Sequence, residues 1–124
     1  MSQAQITCRV EVKALPEQTA PDEGRWAYTY SVTIENTGSV PVQVVGRHWL
    51  ISDSAGTIQE AKGLGVVGHQ PYLQPGQRFN YTSWASIATP QGSMKGSYLC
   101  VTESAEVLHA EVPEFLLADT AQLH

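Results

Sequence analysis

The chain carries little charge, only two cysteines and no long apolar run, and each shortage excludes something. Charged residues occupy 15% of 124 positions while hydrophobic residues reach 42%. That balance excludes intrinsic disorder, which pairs low hydrophobicity with high net charge. No apolar run approaches the roughly 20 residues that cross a bilayer, so no membrane association is expected. The opening stretch MSQAQITCRVEVKA alternates polar and apolar residues. It lacks the basic start and apolar block of a secretory signal, which predicts a cytoplasmic protein. Cys8 and Cys100 lie far apart in strand-like stretches with no CxxC neighbour. In a reducing compartment they read as small buried hydrophobes, not as a disulfide or redox pair.

Basic residues are also scarce. Seven Lys and Arg stand against 12 Asp and Glu, for a net charge of −5. Such a surface repels a phosphate backbone and anionic lipid, so no nucleic-acid partner is expected. Acids, in turn, are missing from residues 61–102, where the ionisable side chains include Lys62, His69, Arg78 and Lys95. Locally the balance is cationic.

Catalytic patterns are missing too. There is no G-x-S-x-G elbow, and His109 and Asp119 could be combined with almost any serine, which is no evidence. His48, Asp53 and His69 are the central metal-ligand candidates, yet no His-x-His or His-x-x-x-His spacing joins them. No metal site, no cofactor and no enzymatic activity are expected.

What the sequence does have is period-two alternation. ITCRVEV sets Ile6, Cys8, Val10 and Val12 on one face of a strand. LPEQTAPDEG (15–24) is a solvated loop. WAYTYSVTIEN puts Trp26, Tyr28, Tyr30, Val32 and Ile34 on one face. In VQVVGRHWLISD the phase shifts at Val45 and Gly46, which predicts a β-bulge. DSAG reads as a turn and TIQEAK as a short strand. RFNYTSW alternates again, and TPQGSMKG is predicted to be a turn region. SYLCVTE reads as a strand, and EVLHAEVPEFLLA as two short strands broken at Pro113. With no amphipathic helical stretch, the prediction is an all-β antiparallel sandwich, a single domain over residues 1–124.

GLGVVG, residues 63–68, matches the G-x-G-x-x-G of dinucleotide-binding loops. Those loops launch a helix whose N-terminus holds the pyrophosphate. Here HQPYLQPG follows, which cannot form that helix, and the ribose-binding acid expected about 20 residues on is missing. Two readings remain. Gly63, Gly65 and Gly68 permit a tight, irregular connection, or successive N–H groups form an anion nest with Lys62, His69, Arg78 or Lys95 at its rim. The triplet Arg47, His48 and Trp49 reads mainly as structural, with Trp49 in the core and Arg47 or His48 bonding turn backbone. Use as an interaction surface is the alternative, since Arg and Trp are favoured anchors.

RHWLISDSAG (47–56), GLGVVGHQPYLQPGQRFNYTS (63–83), TPQGSMKGSY (89–98) and VPEFLL (112–117) together resemble the ApaG family. The resemblance runs from the first strand to the last. It implies an immunoglobulin- or fibronectin-III-like β-sandwich that is bacterial, soluble and stand-alone. In eukaryotic relatives a similar module sits in an F-box ubiquitin-ligase subunit and a DNA-polymerase-interacting protein, where protein contacts are implied. It further implies a link to cobalt and magnesium resistance, an association with diadenosine-tetraphosphate metabolism, and a pyrophosphate site at Gly63, Gly65 and Gly68. One departure is Trp84, where relatives usually have glycine after YTS; a large indole at a turn could cover the loop or fill a pocket.

The sequence therefore predicts a non-catalytic binding module for an unidentified protein partner, monomeric or weakly dimeric. Arg47, His48 and Trp84 are candidates for the contact surface. The alternative is a binder of a nucleotide, diadenosine polyphosphate or pyrophosphate at Lys62, Gly63, Gly65, Gly68, His69 and Arg78.

Overall fold

A computed structural model describes residues 3–119; the predicted domain, 1–124, extends beyond these at both ends. Eight strands follow in order: β1 (Ile6–Ala14), β2 (Trp26–Asn36), β3 (Val42–Asp53), β4 (Ile58–Leu64), β5 (Tyr72–Leu73), β6 (Arg78–Ile87), β7 (Gly92–Thr102) and β8 (Val107–Leu117). They form two antiparallel sheets, β1-β2-β6 and β4-β3-β7-β8, with β5 paired to the start of β3. The two prolines of the 15–24 loop each open a single 3-10 turn, Pro16–Gln18 and Pro21–Glu23. The chain is an antiparallel β-sandwich.

Alternation does the sorting. Tyr28, Tyr30, Val32 and Ile34 of β2 are buried, while Thr29, Ser31 and Thr33 between them are half-exposed. A strand with one face against a core requires this pattern. Trp49 of β3 sits at the centre, 2% exposed. Its indole meets Tyr30, Tyr98 and Phe115 edge-on, with centroids at 5.6, 5.9 and 6.1 Å. Edge-to-face packing suits the aromatic quadrupole, so this cluster ties both sheets together. Cys8 is half-buried and Cys100 buried, both as free thiols.

The expected bulge is present: register with β7 shifts between Val44 and Gly46. Three other expectations need correction. The stretch 89–96 is not a turn region; only residues 88–91 lie between strands, and Gly92 begins β7. Its glycines serve close approach. A Cβ at Gly96 would lie 2.2 Å from the His48 carbonyl oxygen and 2.6 Å from the Trp49 ring. Pro113 does not end a strand either, because β8 runs through it. Register passes from Met94↔Phe115 to Gly96↔Val112, so Pro113 and Glu114 share the space opposite Lys95. A bulge on an edge strand accommodates the missing N–H. Trp84, finally, is not at a turn. It lies within β6, opposite Thr29.

Candidate functional site

The connection from β4 to β5 contains most of GLGVVG, and the bulge in β3 sets its shape. Gly65 N–H donates to the Val45 carbonyl at 2.8 Å, and Gln70 Nε2 reaches the same oxygen at 3.2 Å. The extra residue of the bulge thus offers its carbonyl to the loop. Val66 is fully buried and anchors the loop in the core. Val66 and His69 then exchange both main-chain bonds, at 2.6 and 2.9 Å, around Val67 and Gly68. Both central residues are left-handed, with φ of 44° and 83°. That is the signature of a type I′ turn.

Each motif glycine now has a reason. Gly68 supplies the second left-handed position. Gly65, with φ of 72°, passes so near His69 that a Cβ would sit 2.6 Å from its carbonyl oxygen. Gly63 makes room for Arg47, whose guanidinium nitrogens would lie 2.9 Å from a Cβ there. Crossing that gap, Arg47 Nη1 donates to the carbonyls of Leu64 at 3.1 Å and Gly65 at 3.0 Å. A strand arginine therefore braces the loop through its carbonyl oxygens.

Arg47, Gly63, Gly65, Gly68 and His69 come together here, with the His69 ring tilted against Phe79 at 5.8 Å. The remaining candidates do not join them. Lys62 and His48 are cross-strand neighbours facing outward on the five-stranded sheet. Glu60 links them, 2.7 Å from His48 Nε2 and 3.9 Å from Lys62 Nζ. The His48 hydrogen bond, then the Lys62 charge, hold the Glu60 carboxyl below the usual carboxylate range. Arg78 pairs with Glu35 at 3.9 Å on the three-stranded sheet, where Trp84 is also exposed. Asp53 is occupied separately, its Oδ1 accepting from Ala55 N–H and Thr57 N–H at 2.9 Å each. Among the described residues no three His, Cys, Asp or Glu side chains are grouped to hold a metal ion.

Sequence reasoning missed the exposed residues around the loop. Leu64 is 81% and Val67 52% exposed. Leu64 lies opposite Gly46, which in turn faces Leu99 of β7, itself 36% exposed. Gly46, with no side chain of its own, separates the two leucines along this row. The repeated valine of GLGVVG gave no signal of this, since a turn position needing positive φ disfavours a β-branched residue.

A sandwich with an arginine-braced glycine-rich turn at its end defines the class. Residues 16–102 match the model of the ApaG domain, and the chain belongs to that family. It is 51% identical to Protein ApaG of Ralstonia nicotianae over 124 residues, all of both chains. It is 46% identical to Protein ApaG of Pseudomonas aeruginosa over 99% of this chain and 98% of that one. A crystal structure of an ApaA protein from Bordetella pertussis superposes with a TM-score of 0.91 at 45% identity, covering 94% of each chain. An X-ray structure of a structural-genomics target gives 0.89 at 34% identity, covering 97% of this chain and 91% of that one. No helix among the described residues is long and apolar enough to cross a membrane.

Proposed function

We propose that this protein is a non-catalytic cytoplasmic binding module that docks a protein partner on the tip of its glycine-rich loop and the adjoining sheet face. The observation that carries the reading is Val67. A β-branched residue in the left-handed region stores strain of roughly 1–3 kcal/mol. A turn selected for folding alone carries Asn or Gly there. Val67 keeps that strain while half its surface faces solvent, three residues from the exposed Leu64. Apolar side chains held out on a rigid turn suit the centre of a protein contact. Arg47 contributes from inside by fixing the loop, and His48 lies on the adjoining outer face. Trp84 belongs to the other sheet and marks a separate exposed aromatic. A link to cobalt or magnesium resistance, implied by the family resemblance, runs on this reading through the partner.

The alternative, a nucleotide or pyrophosphate at Gly63, Gly65 and Gly68, draws support from the acid-free stretch 61–102. Against it, the N–H groups of Gly65, Val66 and His69 are already bonded within the protein. Lys62 and Arg78 have carboxylate partners, and Arg47 faces carbonyl oxygens.

Photo-crosslinking in the living cell separates the two. A photoreactive residue at position 64 or 67 is expected to give a discrete protein adduct that one at Thr82 does not, and Leu99→Lys should abolish it. No such adduct, together with calorimetric binding of ATP or a diadenosine polyphosphate that Lys62→Ala weakens, would favour the phosphate reading.

A further inference from the structure

β4 is an open edge. Its only neighbour among the described residues is β3, and six of its seven residues are exposed. Edge strands are normally blunted by proline, bulges or charge. The opposite edge of the same sheet, β8, carries Pro113 and a bulge; β4 has neither, and its charges are one acid and one base, Glu60 and Lys62. Asp53 N–H donates to the Thr57 carbonyl and Gly65 N–H to the Val45 carbonyl. The ladder between them keeps one register. The odd-numbered residues therefore bond to β3, and the N–H and C=O groups of Ile58, Glu60 and Lys62 and the N–H of Leu64 point outward, away from the sheet. The Leu64 carbonyl already accepts from Arg47 Nη1 and has its second lone pair for a further donor.

The order of these side chains is self-complementary: apolar, acid, base, apolar. We propose that β4 pairs antiparallel with β4 of a second copy about a two-fold axis at Ala61, joining the two five-stranded sheets edge to edge. In that register Ile58 faces Leu64 of the partner subunit, and Glu60 faces Lys62 of the partner subunit. All four residues then meet in hydrogen-bonded pairs, as their outward main-chain groups require. Sliding the axis to Glu60 or to Lys62 would instead set like charges opposite each other, which is unfavourable. The register at Ala61 also accounts for Ile58 and Leu64, exposed by 64% and 81%. An isologous contact of this kind closes as a dimer. One short strand pair buries little surface, so the association is weak. It leaves Val67 and Leu99 uncovered and shares only Leu64 with the partner-binding reading, and the charge reversals at Glu60 and Lys62 test it separately from the crosslink at position 67.

Sedimentation of the full chain over a concentration series up to roughly 1 mM tests it, across a range that captures weak association. The wild type is expected to dimerise reversibly. Glu60→Lys alone places lysines opposite lysines, and Lys62→Glu alone places glutamates opposite glutamates. Each should weaken association roughly tenfold or more. An equimolar mixture of the two variants restores both opposite-charge pairs and should recover dimer as a heterodimer, as should the double variant with itself. That recovery separates lost complementarity from misfolding. A wild type that stays monomeric throughout, or a dimer indifferent to the reversals and to mixing, would overturn the proposal.

Discussion

Arg47 is the residue on which the loop depends most. It reaches from β3 past Gly63 to the carbonyl oxygens of Leu64 and Gly65. Hydrogen bonds from a charged donor contribute about 1.5–3 kcal/mol. Arg47→Met should therefore lower stability by about 1–3 kcal/mol, discounted for partial solvent access. It should also speed amide exchange at residues 64–69 more than in β2 or β7, which hydrogen-exchange mass spectrometry reads directly. The two thiols behave in the opposite sense. Burial pushes Cys8 up to about 11 and Cys100 up to about 12, so both stay protonated near neutral pH, where only a thiolate attacks. Labelling by a thiol reagent should be slow in the folded protein and rapid once it is denatured. Arg47's reach was not legible in the sequence. The triplet RHW announced a structural role, but which carbonyls it serves depends on β3 and β4 lying side by side.

At the scale of elements, period two was legible wherever one face of a strand meets the core, hence the clear outline of β1, β2 and β6. Glycine and proline misled for a physical reason. A glycine that gives way to Trp49 looks, in one dimension, like a glycine that turns the chain. A proline in a bulge looks like one that ends a strand. Gly96→Ala should cost about 1–3 kcal/mol, because the added methyl meets β3 backbone and the indole and forces them apart. Urea denaturation measures this. An unchanged midpoint would mean the strand shifts freely. The GLGVVG bend itself was foreseen, because the segment that follows cannot form a helix; the type I′ geometry at Val67 was not, since nothing in a repeated valine suggests a left-handed backbone.

Across the whole molecule, the buried aromatic and thiol cluster sets the response to alkali. Burial raises Tyr81 to about 12 and raises Tyr98 as well. In the unfolded chain thiols ionise near about 8.5 and tyrosines near about 10. Between those values and the folded ones, the folded state binds more protons than the unfolded state. Stability is thus fully present below about pH 8 and falls as pH rises towards about 12. Denaturant midpoints should decline steadily across that window.

The partner-binding account ascribes Val67 to function at the expense of folding, so Val67→Asn should move the two in opposite directions. Asparagine suits a left-handed turn position and should stabilise the protein by about 1 kcal/mol. Thermal melting and in-cell crosslinking from position 64 should be measured on that one variant. A raised Tm with the partner adduct lost is the expected result. A raised Tm with the adduct undiminished, or a lowered Tm, would contradict the claim that this strained valine is kept for contact.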